Sequence, residues 1–409
     1  MQIIQEVKKE ILDRSIRTKE KSDEFGEVFT PYHLISDMLD LVKEEDWSNP
    51  ETTFYDPCAG KGNFPILIIE RLFKGLEGVI LNEQERLEHI VGKQLFMTEY
   101  QESSYNETKE LFSRFGVELN FKLGNALEIF GQEFGVEGFT YTIANPPYQS
   151  AETRRRIFNK FIEHTNTFSD KQIYIIPNSW IYNKYLKAKL ILSNLVEVKF
   201  YPRDIFPGIS LRYGVTIVGI RTKPQKNIDI TVRESNYSIS PTDQIFEAEE
   251  EVITSIKGLL EYPVVPFTRD NLPIPRKYRT EFTQESLPEE YSQTETETHK
   301  YKTRMYLTRH KFDIFCSIED LESYNKYSVC FGLVNGMGSI AGVYILEPGL
   351  QPCGNIYSKS FDTLEEAEAL QNYLTSDFHR NIIKHTKTND VLNGPNNVLK
   401  FITYAYQTN

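Results

Sequence analysis

The sequence predicts an α/β fold with a largely parallel sheet that ends in an antiparallel hairpin, followed by a second domain. From Thr52 to Val218, short β-rich runs alternate with helical segments, which is the pattern of a parallel sheet with crossover helices. The loop between the last two runs, residues 202–213, is too short for such a crossover, so we expect those two strands to pair antiparallel. Beyond residue 221 a polar connector and irregular segments predict a separate domain.

Seven strands are predicted, at residues 52–56, 95–99, 118–122, 139–144, 172–177, 196–201 and 214–220. An amphipathic helix precedes residue 20, and a second helix begins near Pro31. The connector at residues 223–226 divides the chain into an N-terminal helical segment (1–50), the sheet domain (51–224) and a second domain (225–409). Within the second domain, an acidic run at 284–298 predicts a solvated loop, and apolar spacing over 363–380 predicts a helix.

Composition excludes several classes of protein. No apolar stretch approaches the roughly 20 residues that a membrane span needs, and the first residues form a helix rather than a signal peptide. The four cysteines form no C-x-x-C pair, so we expect reduced thiols in a cytoplasmic protein, without a zinc site or a disulfide framework. The net charge of −12, from 46 basic and 58 acidic residues, argues against nucleic acid as a partner unless basic residues cluster locally.

A glycine-containing turn follows the first predicted strand. It reads Asp56-Pro57-Cys58-Ala59-Gly60-Lys61-Gly62, and glycines there let the backbone approach a ligand at the sheet edge where α/β folds bind ligands. Its spacing matches neither a P-loop nor G-x-G-x-x-G, and an ordinary turn is the alternative. Glu99 ends the next predicted strand, where a carboxylate can accept hydrogen bonds from ribose hydroxyls, unless it faces solvent.

A rigid tetrapeptide, Asn145-Pro146-Pro147-Tyr148, follows the fourth predicted strand. The two prolines fix φ, remove two amide donors and hold Asn145 extended. Asn145 Oδ1 and the Pro146 carbonyl can then accept hydrogen bonds from one exocyclic amino group, which favours localisation of its nitrogen lone pair, while Tyr148 stacks on the ring. The alternative is a loop that proline merely stiffens.

Together these motifs resemble the amino-methylating DNA methyltransferases that use S-adenosyl-L-methionine, specifically the N6-adenine enzymes of restriction-modification systems. Over roughly residues 20–220 three elements of the family have counterparts in order: Gly26-Glu27-Val28-Phe29-Thr30-Pro31 is like the F-x-T-P element, residues 56–62 are like the cofactor loop, and residues 145–148 are like the catalytic motif. This is the order of the gamma class, in which a target-recognition domain follows. The resemblance implies a Rossmann-like methyltransferase sheet in residues 51–224 and a smaller α+β target-recognition domain in residues 225–409.

The resemblance also implies roles for single residues. The cofactor pocket would be formed by Phe29, Thr30, Pro31, Asp56, Gly60, Gly62, Glu99, Asn125 and Ala126. Where the family usually has Asp to bind the adenine amino group of the cofactor, this chain has Asn125. Its amide oxygen can accept the same hydrogen bond with less charge assistance, so we expect weaker cofactor affinity, which Asn125→Asp should alter.

By the same resemblance, Asn145, Pro146, Pro147 and Tyr148 would direct methylation of an adenine swung out of double-stranded DNA, with no metal ion. Phe206 would be a second stacking partner, and a core aromatic is the alternative. Candidates for contact with the DNA backbone are Arg154, Arg155, Arg276, Lys277 and Arg304, although a basic run can also be only a solvated surface. A restriction endonuclease, if the system has one, would be a separate chain.

Two other readings stay open on the sequence alone. The motif Asn-Pro-Pro-Tyr also occurs in enzymes that methylate glutamine in release factors and in guanine-amino rRNA methyltransferases, which typically lack the F-x-T-P element and a large C-terminal domain. A non-catalytic DNA-binding or cofactor-sensing protein could also retain the fold. The intact tetrapeptide argues against that second alternative.

Overall fold

The computed structural model describes residues 2–19, 30–149, 156–181, 194–206, 214–221, 226–242, 245–269, 289, 291–307, 310–317, 321–331, 342–353, 356–386, 399 and 402–407. The chain divides into two compact units, Met1–Ile245 and Phe246–Asn409. In the described ranges no helix is long and apolar enough to cross a membrane.

The first unit contains a nine-stranded sheet, and its strands are β1 (Phe54–Asp56), β2 (Leu95–Glu99), β3 (Asn120–Leu123), β4 (Phe139–Ala144), β5 (Ser169–Pro177), β6 (Leu195–Tyr201), β7 (Val215–Arg221), β8 (Ile228–Val232) and β9 (Ser235–Ile239). Their order is β3-β2-β1-β4-β5-β7-β6-β8-β9. Strands β1 to β5 pair in parallel, and β7 lies antiparallel between β5 and β6. The predicted parallel sheet and its antiparallel hairpin are therefore confirmed.

The helices of this unit are α1 (Gln2–Lys19), α2 (Tyr32–Leu39), α3 (Glu44–Trp47), α4 (Asn63–Gly75), α5 (Glu83–His89), α6 (Glu102–Ser113) and α7 (Phe158–Thr165). Successive side chains of a strand point to opposite faces, so β5 divides its residues between two cores. Ile173 and Ile175 join the apolar face of α4 in one core, whereas Tyr174 and Ile176 join α7 in the other. Burial on both faces is what a central strand between helical layers requires.

The sheet extends beyond the predicted hairpin, because β8 pairs in parallel with β6 and β9 pairs antiparallel with β8. In β8, Ile228, Ile230 and Val232 are buried and alternate with more exposed residues, as in a strand with one face in the core. The division between the two units therefore falls after residue 245, about twenty residues later than the predicted boundary at 224.

The second unit has two four-stranded sheets, with orders β10-β17-β14-β15 and β11-β13-β12-β16. The strands are β10 (Thr268–Arg269), β11 (Tyr291–Ser292), β12 (Tyr301–Leu307), β13 (His310–Cys316), β14 (Tyr327–Phe331), β15 (Tyr344–Leu346), β16 (Gln351–Cys353) and β17 (Tyr357–Phe361), and the helices are α8 (Glu250–Leu260), α9 (Leu321–Tyr324), α10 (Leu364–Thr375) and α11 (Asp377–Thr386). The helix predicted over 363–380 is two helices, because Ser376 adopts an extended conformation (ψ 153°) between them. The α+β class expected for this part of the chain is confirmed.

Candidate active site

The motifs identified in the sequence follow strands that are neighbours in the sheet. β1 lies between β2 and β4, and all three run parallel. Their carboxyl ends therefore meet at one edge, where the loop at 56–62, Glu99 and the tetrapeptide at 145–148 all begin. This is the edge at which open α/β sheets bind ligands.

The loop between β1 and α4 is held in a conformation that needs its glycines. Gly60 and Gly62 have φ of +49° and +85°, in the left-handed region that other residues rarely adopt. A Cβ atom on Gly62 would also lie 3.0 Å from the ring of Phe112. Glycine at position 62 therefore permits both this backbone conformation and the close packing of α6 against the loop.

Glu99 anchors this loop to the end of β2. Its Oε2 accepts a hydrogen bond from the Gly60 amide at 2.8 Å, and its Oε1 accepts one from the Gln101 amide at 2.7 Å. The side chain is 6% exposed. Each carboxylate oxygen has a second lone-pair direction, so Glu99 can still accept hydrogen bonds from a pair of ligand hydroxyls.

Asp56 is fully buried at the end of β1. Its Oδ1 accepts a hydrogen bond from the Cys58 amide at 3.0 Å, whereas Oδ2 has no hydrogen-bond partner in the part of the chain that the structure describes. Burial, together with a smaller contribution from the negative charge of nearby Glu99, raises the pKa of Asp56 to about 8. Because an unpaired buried carboxyl is costly, this geometry suits a cationic ligand.

Asn145 has one satisfied end and one unsatisfied end. Its Nδ2 donates a hydrogen bond to Thr30 Oγ1 at 3.0 Å, while its Oδ1 is buried and lacks a partner among the described residues. Pro146 is buried and Pro147 is exposed. The tetrapeptide thus presents a sheltered acceptor without a donor, which is the arrangement that a substrate amino group would complete.

The two predicted stacking residues lie in different environments. Tyr148 is half-buried, packs against the core that contains α4, and its hydroxyl is buried with no partner in the described ranges. Burial raises the pKa of this phenol. Phe206 is 1% exposed and belongs to that core. Its ring is therefore not accessible in this structure, which agrees with the alternative prediction that Phe206 is a core residue.

Asn125 and Ala126 follow β3 at the same edge. Asn125 Oδ1 accepts a hydrogen bond from the Leu127 amide at 3.1 Å, and Nδ2 donates to Glu128 Oε1 at 2.8 Å. Ala126 is buried in the core that contains α7, so its side chain supports the loop from inside. The amide of Asn125 is therefore held by its own loop, which the sequence did not indicate.

Several predicted residues lie outside the described residues, namely Phe29, Arg154, Arg155, Arg276 and Lys277. The remaining backbone-contact candidate, Arg304, lies opposite Asp313 in the β12–β13 pair. Its Nε and Nη2 donate to the two carboxylate oxygens of Asp313 at 2.7 and 3.0 Å, and these hydrogen bonds lower the pKa of Asp313. A phosphate at this position would have to compete with Asp313.

Tyr100 is a residue of this edge that was not predicted. It follows Glu99 directly, and its side chain is 73% exposed, which is unusual for a tyrosine. An aromatic ring beside a carboxylate suited to ribose could stack on the base of a nucleoside. The signal in the sequence was the aromatic residue immediately after the strand-terminal Glu99.

Residues 10–179 match the family model described as N-6 DNA Methylase. This match contains the loop at 56–62, Glu99 and the tetrapeptide, so this part of the chain is similar to N6-adenine methyltransferases, as expected.

An uncharacterized adenine-specific methylase from Mycoplasma pneumoniae is 25% identical over 276 residues, which cover 46% of this chain and 65% of the relative. Among solved structures, the methyltransferase subunit of a type I restriction-modification system from Streptococcus thermophilus is 18% identical, with a TM-score of 0.39 over 51% of this chain and 47% of its own. The ATP-dependent type ISP restriction-modification enzyme LlaBIII bound to DNA is 11% identical, with a TM-score of 0.45 over 90% of this chain and 39% of its own. The chain thus spans just under two thirds of the curated relative and half or less of these two solved proteins.

Proposed function

We propose that this protein transfers the methyl group of S-adenosyl-L-methionine to the N6 amino group of adenine in double-stranded DNA, as the modification component of a restriction-modification system. The observation that carries the proposal is Asn145 Oδ1, a buried acceptor without a donor among the described residues, next to two consecutive prolines. The chain would act in the cytoplasm, and a cognate endonuclease would be a separate protein.

The residues at the sheet edge fit the proposed cofactor. The unpartnered Oδ2 of Asp56 suits the cationic methionine end, and the carboxylate of Glu99 suits the ribose hydroxyls. Gly60, in a left-handed conformation, lies beside Glu99 and has no side chain that would obstruct a ligand there. When bound, S-adenosyl-L-methionine supplies a methyl group on a positively charged sulfur, which makes that carbon electrophilic.

The chain itself would orient the nucleophile. Asn145 Oδ1 accepts a hydrogen bond from the adenine amino group and so localises the nitrogen lone pair toward the methyl carbon. Asn145 and Tyr148 would hold the adenine in place while its amino group takes up the methyl group, and the proton that the amino group gives up would pass to solvent. Tyr148 would stack on the adenine, which offsets part of the few kcal/mol that it costs to take a base out of the duplex.

Replacement of Asn125 tests its proposed contact with the adenine of the cofactor. Asn125→Asp alone would place a second carboxylate about 2.8 Å from Glu128, so we expect weaker cofactor binding from this variant. In the double variant with Glu128→Gln, the amide of the new glutamine can donate to the new carboxylate at position 125. This variant should bind the cofactor roughly fivefold more tightly than the wild type, since a hydrogen bond from the adenine amino group to a charged acceptor is stronger. Calorimetric titration with S-adenosyl-L-methionine measures both, with Glu128→Gln as the control. Equal affinity of all four proteins would exclude the contact.

Removal of the exposed Tyr100 ring tests whether it stacks on the cofactor. Stacking of a base on an aromatic side chain is worth roughly 1–3 kcal/mol, so Tyr100→Ala should weaken cofactor binding by about tenfold or more. Tyr100→Phe keeps the ring and should bind like the wild type. Since Tyr100 is 73% exposed, neither change should alter the midpoint of thermal unfolding by more than a degree or two. Normal affinity of Tyr100→Ala would remove Tyr100 from the site.

The second unit, Phe246–Asn409, would supply recognition of the DNA sequence. Lys302 and Arg304 lie on one face of β12, as residues two apart in a strand do, and they share Asp313 as an ion-pair partner. With Asp313 these two cations carry a net charge of only +1, so any contact with a phosphate would compete with this ion pair. If the two cations contact phosphates, affinity for DNA should fall steeply as salt rises, because counterions are released on binding.

The proposed function is tested by expression of the protein in a host that lacks adenine methylation. Its DNA is then read by sequencing that detects modified bases, beside the Asn145→Ala variant as the inactive control. We expect N6-methyladenine at one recurring short motif, present with the wild type and absent with the variant. That result would establish the reaction, the base and the recognition sequence together.

If the protein is soluble and binds S-adenosyl-L-methionine but the DNA of the host stays unmodified, the proposal that DNA is the substrate would be wrong. A transfer assay with radiolabelled cofactor against ribosomal RNA and protein extracts would then distinguish the other amino methyltransferases from a non-catalytic protein. Label in RNA or protein identifies the former, and no label in any acceptor identifies the latter.

A further inference from the structure

The amide of Asn145 has a partner that lies 115 residues away in the sequence. Its Nδ2 donates to Thr30 Oγ1 at 3.0 Å, and Thr30 as a whole is 3% exposed. Thr30 precedes Pro31, whose carbonyl accepts hydrogen bonds from the amides of Leu34 and Ile35 at the start of α2. Because α2 is packed into the core, the hydroxyl is held at a fixed position relative to the tetrapeptide.

The orientation of this amide decides what it offers to a substrate. A side-chain amide has an acceptor end and a donor end of nearly the same shape. With Nδ2 on Thr30, the end that remains for a ligand is the oxygen, which can accept from an amino group. A rotation of 180° would present an NH₂ group to an amino group, and two donors would then face each other.

We infer that Thr30 is a positioning residue that turns Asn145 Oδ1 toward the substrate amino group. This inference rests on the proposed function. A threonine hydroxyl can accept one hydrogen bond and donate another. While it accepts from Nδ2, its own proton remains for an acceptor on the ligand side, such as the carboxylate of the proposed cofactor. If the amide rotated, its Oδ1 would face Thr30 and would need the hydroxyl proton. Because that proton would already be donated to the ligand, cofactor binding would hold Asn145 in the orientation that presents Oδ1 to the substrate.

Thr30→Val and Thr30→Ser form a matched pair for the test, because valine keeps the shape and loses the hydroxyl, whereas serine keeps the hydroxyl. Methyl transfer is measured at saturating cofactor and DNA, so that weakened binding does not enter the rate. We expect kcat of Thr30→Val to fall about tenfold and Thr30→Ser to stay within about threefold of the wild type. A change in KM for the cofactor with unchanged kcat would reduce Thr30 to a binding contact and overturn the inference.

A second background isolates the orientation effect. In Asn145→Asp both ends of the side chain are oxygens, so rotation no longer matters. Thr30→Val should therefore lower the residual kcat of Asn145→Asp less than twofold, compared with tenfold in the Asn145 background. Equal losses in the two backgrounds would contradict a role in orientation.

A readout without catalysis completes the test. The side-chain NH₂ resonances of Asn145 are assigned by their disappearance in Asn145→Asp. In the ligand-free protein, Thr30→Val should shift these resonances and speed their exchange with water at least severalfold, whereas Thr30→Ser should not. If the wild type itself fails to methylate any DNA, the proposed function fails; if it methylates and Thr30→Val retains full kcat, only this inference fails.

Discussion

Asn145→Ala should lower methyl transfer by at least a hundredfold while cofactor and DNA binding are retained. The substitution removes the buried acceptor Oδ1, which has no competing partner in the described part of the chain. Removal of one preorganised hydrogen-bonding group aimed at the reacting atoms typically costs about 10²–10³ in kcat. Single-turnover transfer to a duplex that contains the recognition motif measures the rate, and calorimetry measures the binding of the cofactor.

The control for this variant is Asn106→Ala, the same chemical change at an exposed position of α6. It should leave the rate unchanged. Thermal unfolding of both variants guards against a folding defect, since Asn145 also donates to Thr30. Near-normal transfer by Asn145→Ala would exclude Asn145 as the group that binds the substrate amino group.

The convergence of the predicted site residues at one edge of the sheet could be predicted, because these residues follow strands that the sequence pattern identifies. The bounds of Leu95–Glu99 and Phe139–Ala144 agree with the structure, and in a parallel sheet the residues after such strands meet at one edge. Each motif alone could have been an ordinary turn, a solvent-facing acid or a stiffened loop, but the topology of the sheet brings all of them to the same edge. Periodicity and topology, rather than any single motif, made that prediction possible.

What could not be predicted depends on packing between distant segments. The bond from Asn145 to Thr30 joins residues 115 positions apart, and the pair of Arg304 with Asp313 depends on strand register. Phe206 could be either a stacking residue or a core residue until its 1% exposure was known. The missed strand β8 is different. Its sequence, Ile228 to Val232, alternates apolar and polar residues, and these are the residues that alternate between buried and more exposed positions in the structure.

Asp56→Asn should stabilise the ligand-free protein at neutral pH and at the same time weaken cofactor binding at least tenfold. The pKa of Asp56 is about 8 in the folded state, against an ordinary value of 3.8, because the carboxyl is buried. Between pH 4 and 8 the unfolded chain therefore loses a proton that the folded chain keeps. The free energy of unfolding of the wild type thus falls as pH rises through this window, by up to about 6 kcal/mol in total.

The asparagine variant cannot ionise, so its advantage over the wild type should be small near pH 4 and grow steadily to pH 8. Urea unfolding at several pH values measures the difference in unfolding free energy between the variant and the wild type. The contributions of most other titrating groups are the same in both proteins and cancel in this difference. The exposed Asp170→Asn should give no such trend. A difference that does not vary with pH would mean that Asp56 is already ionised in the folded protein.

The same buried carboxyl accounts for the expected loss of binding. A cationic ligand group beside Oδ2 favours the ionised form, so wild-type Asp56 should release a proton when the cofactor binds near pH 7. Calorimetry in buffers of different ionisation enthalpy detects that proton. Asp56→Asn should bind S-adenosyl-L-methionine at least tenfold more weakly and release no proton, since a charge-assisted hydrogen bond is worth roughly 1.5–3 kcal/mol. The protein tolerates a buried acid without a partner because the cofactor supplies the positive charge that pairs with it. If Asp56→Asn gained stability without losing affinity for the cofactor, this explanation would be wrong.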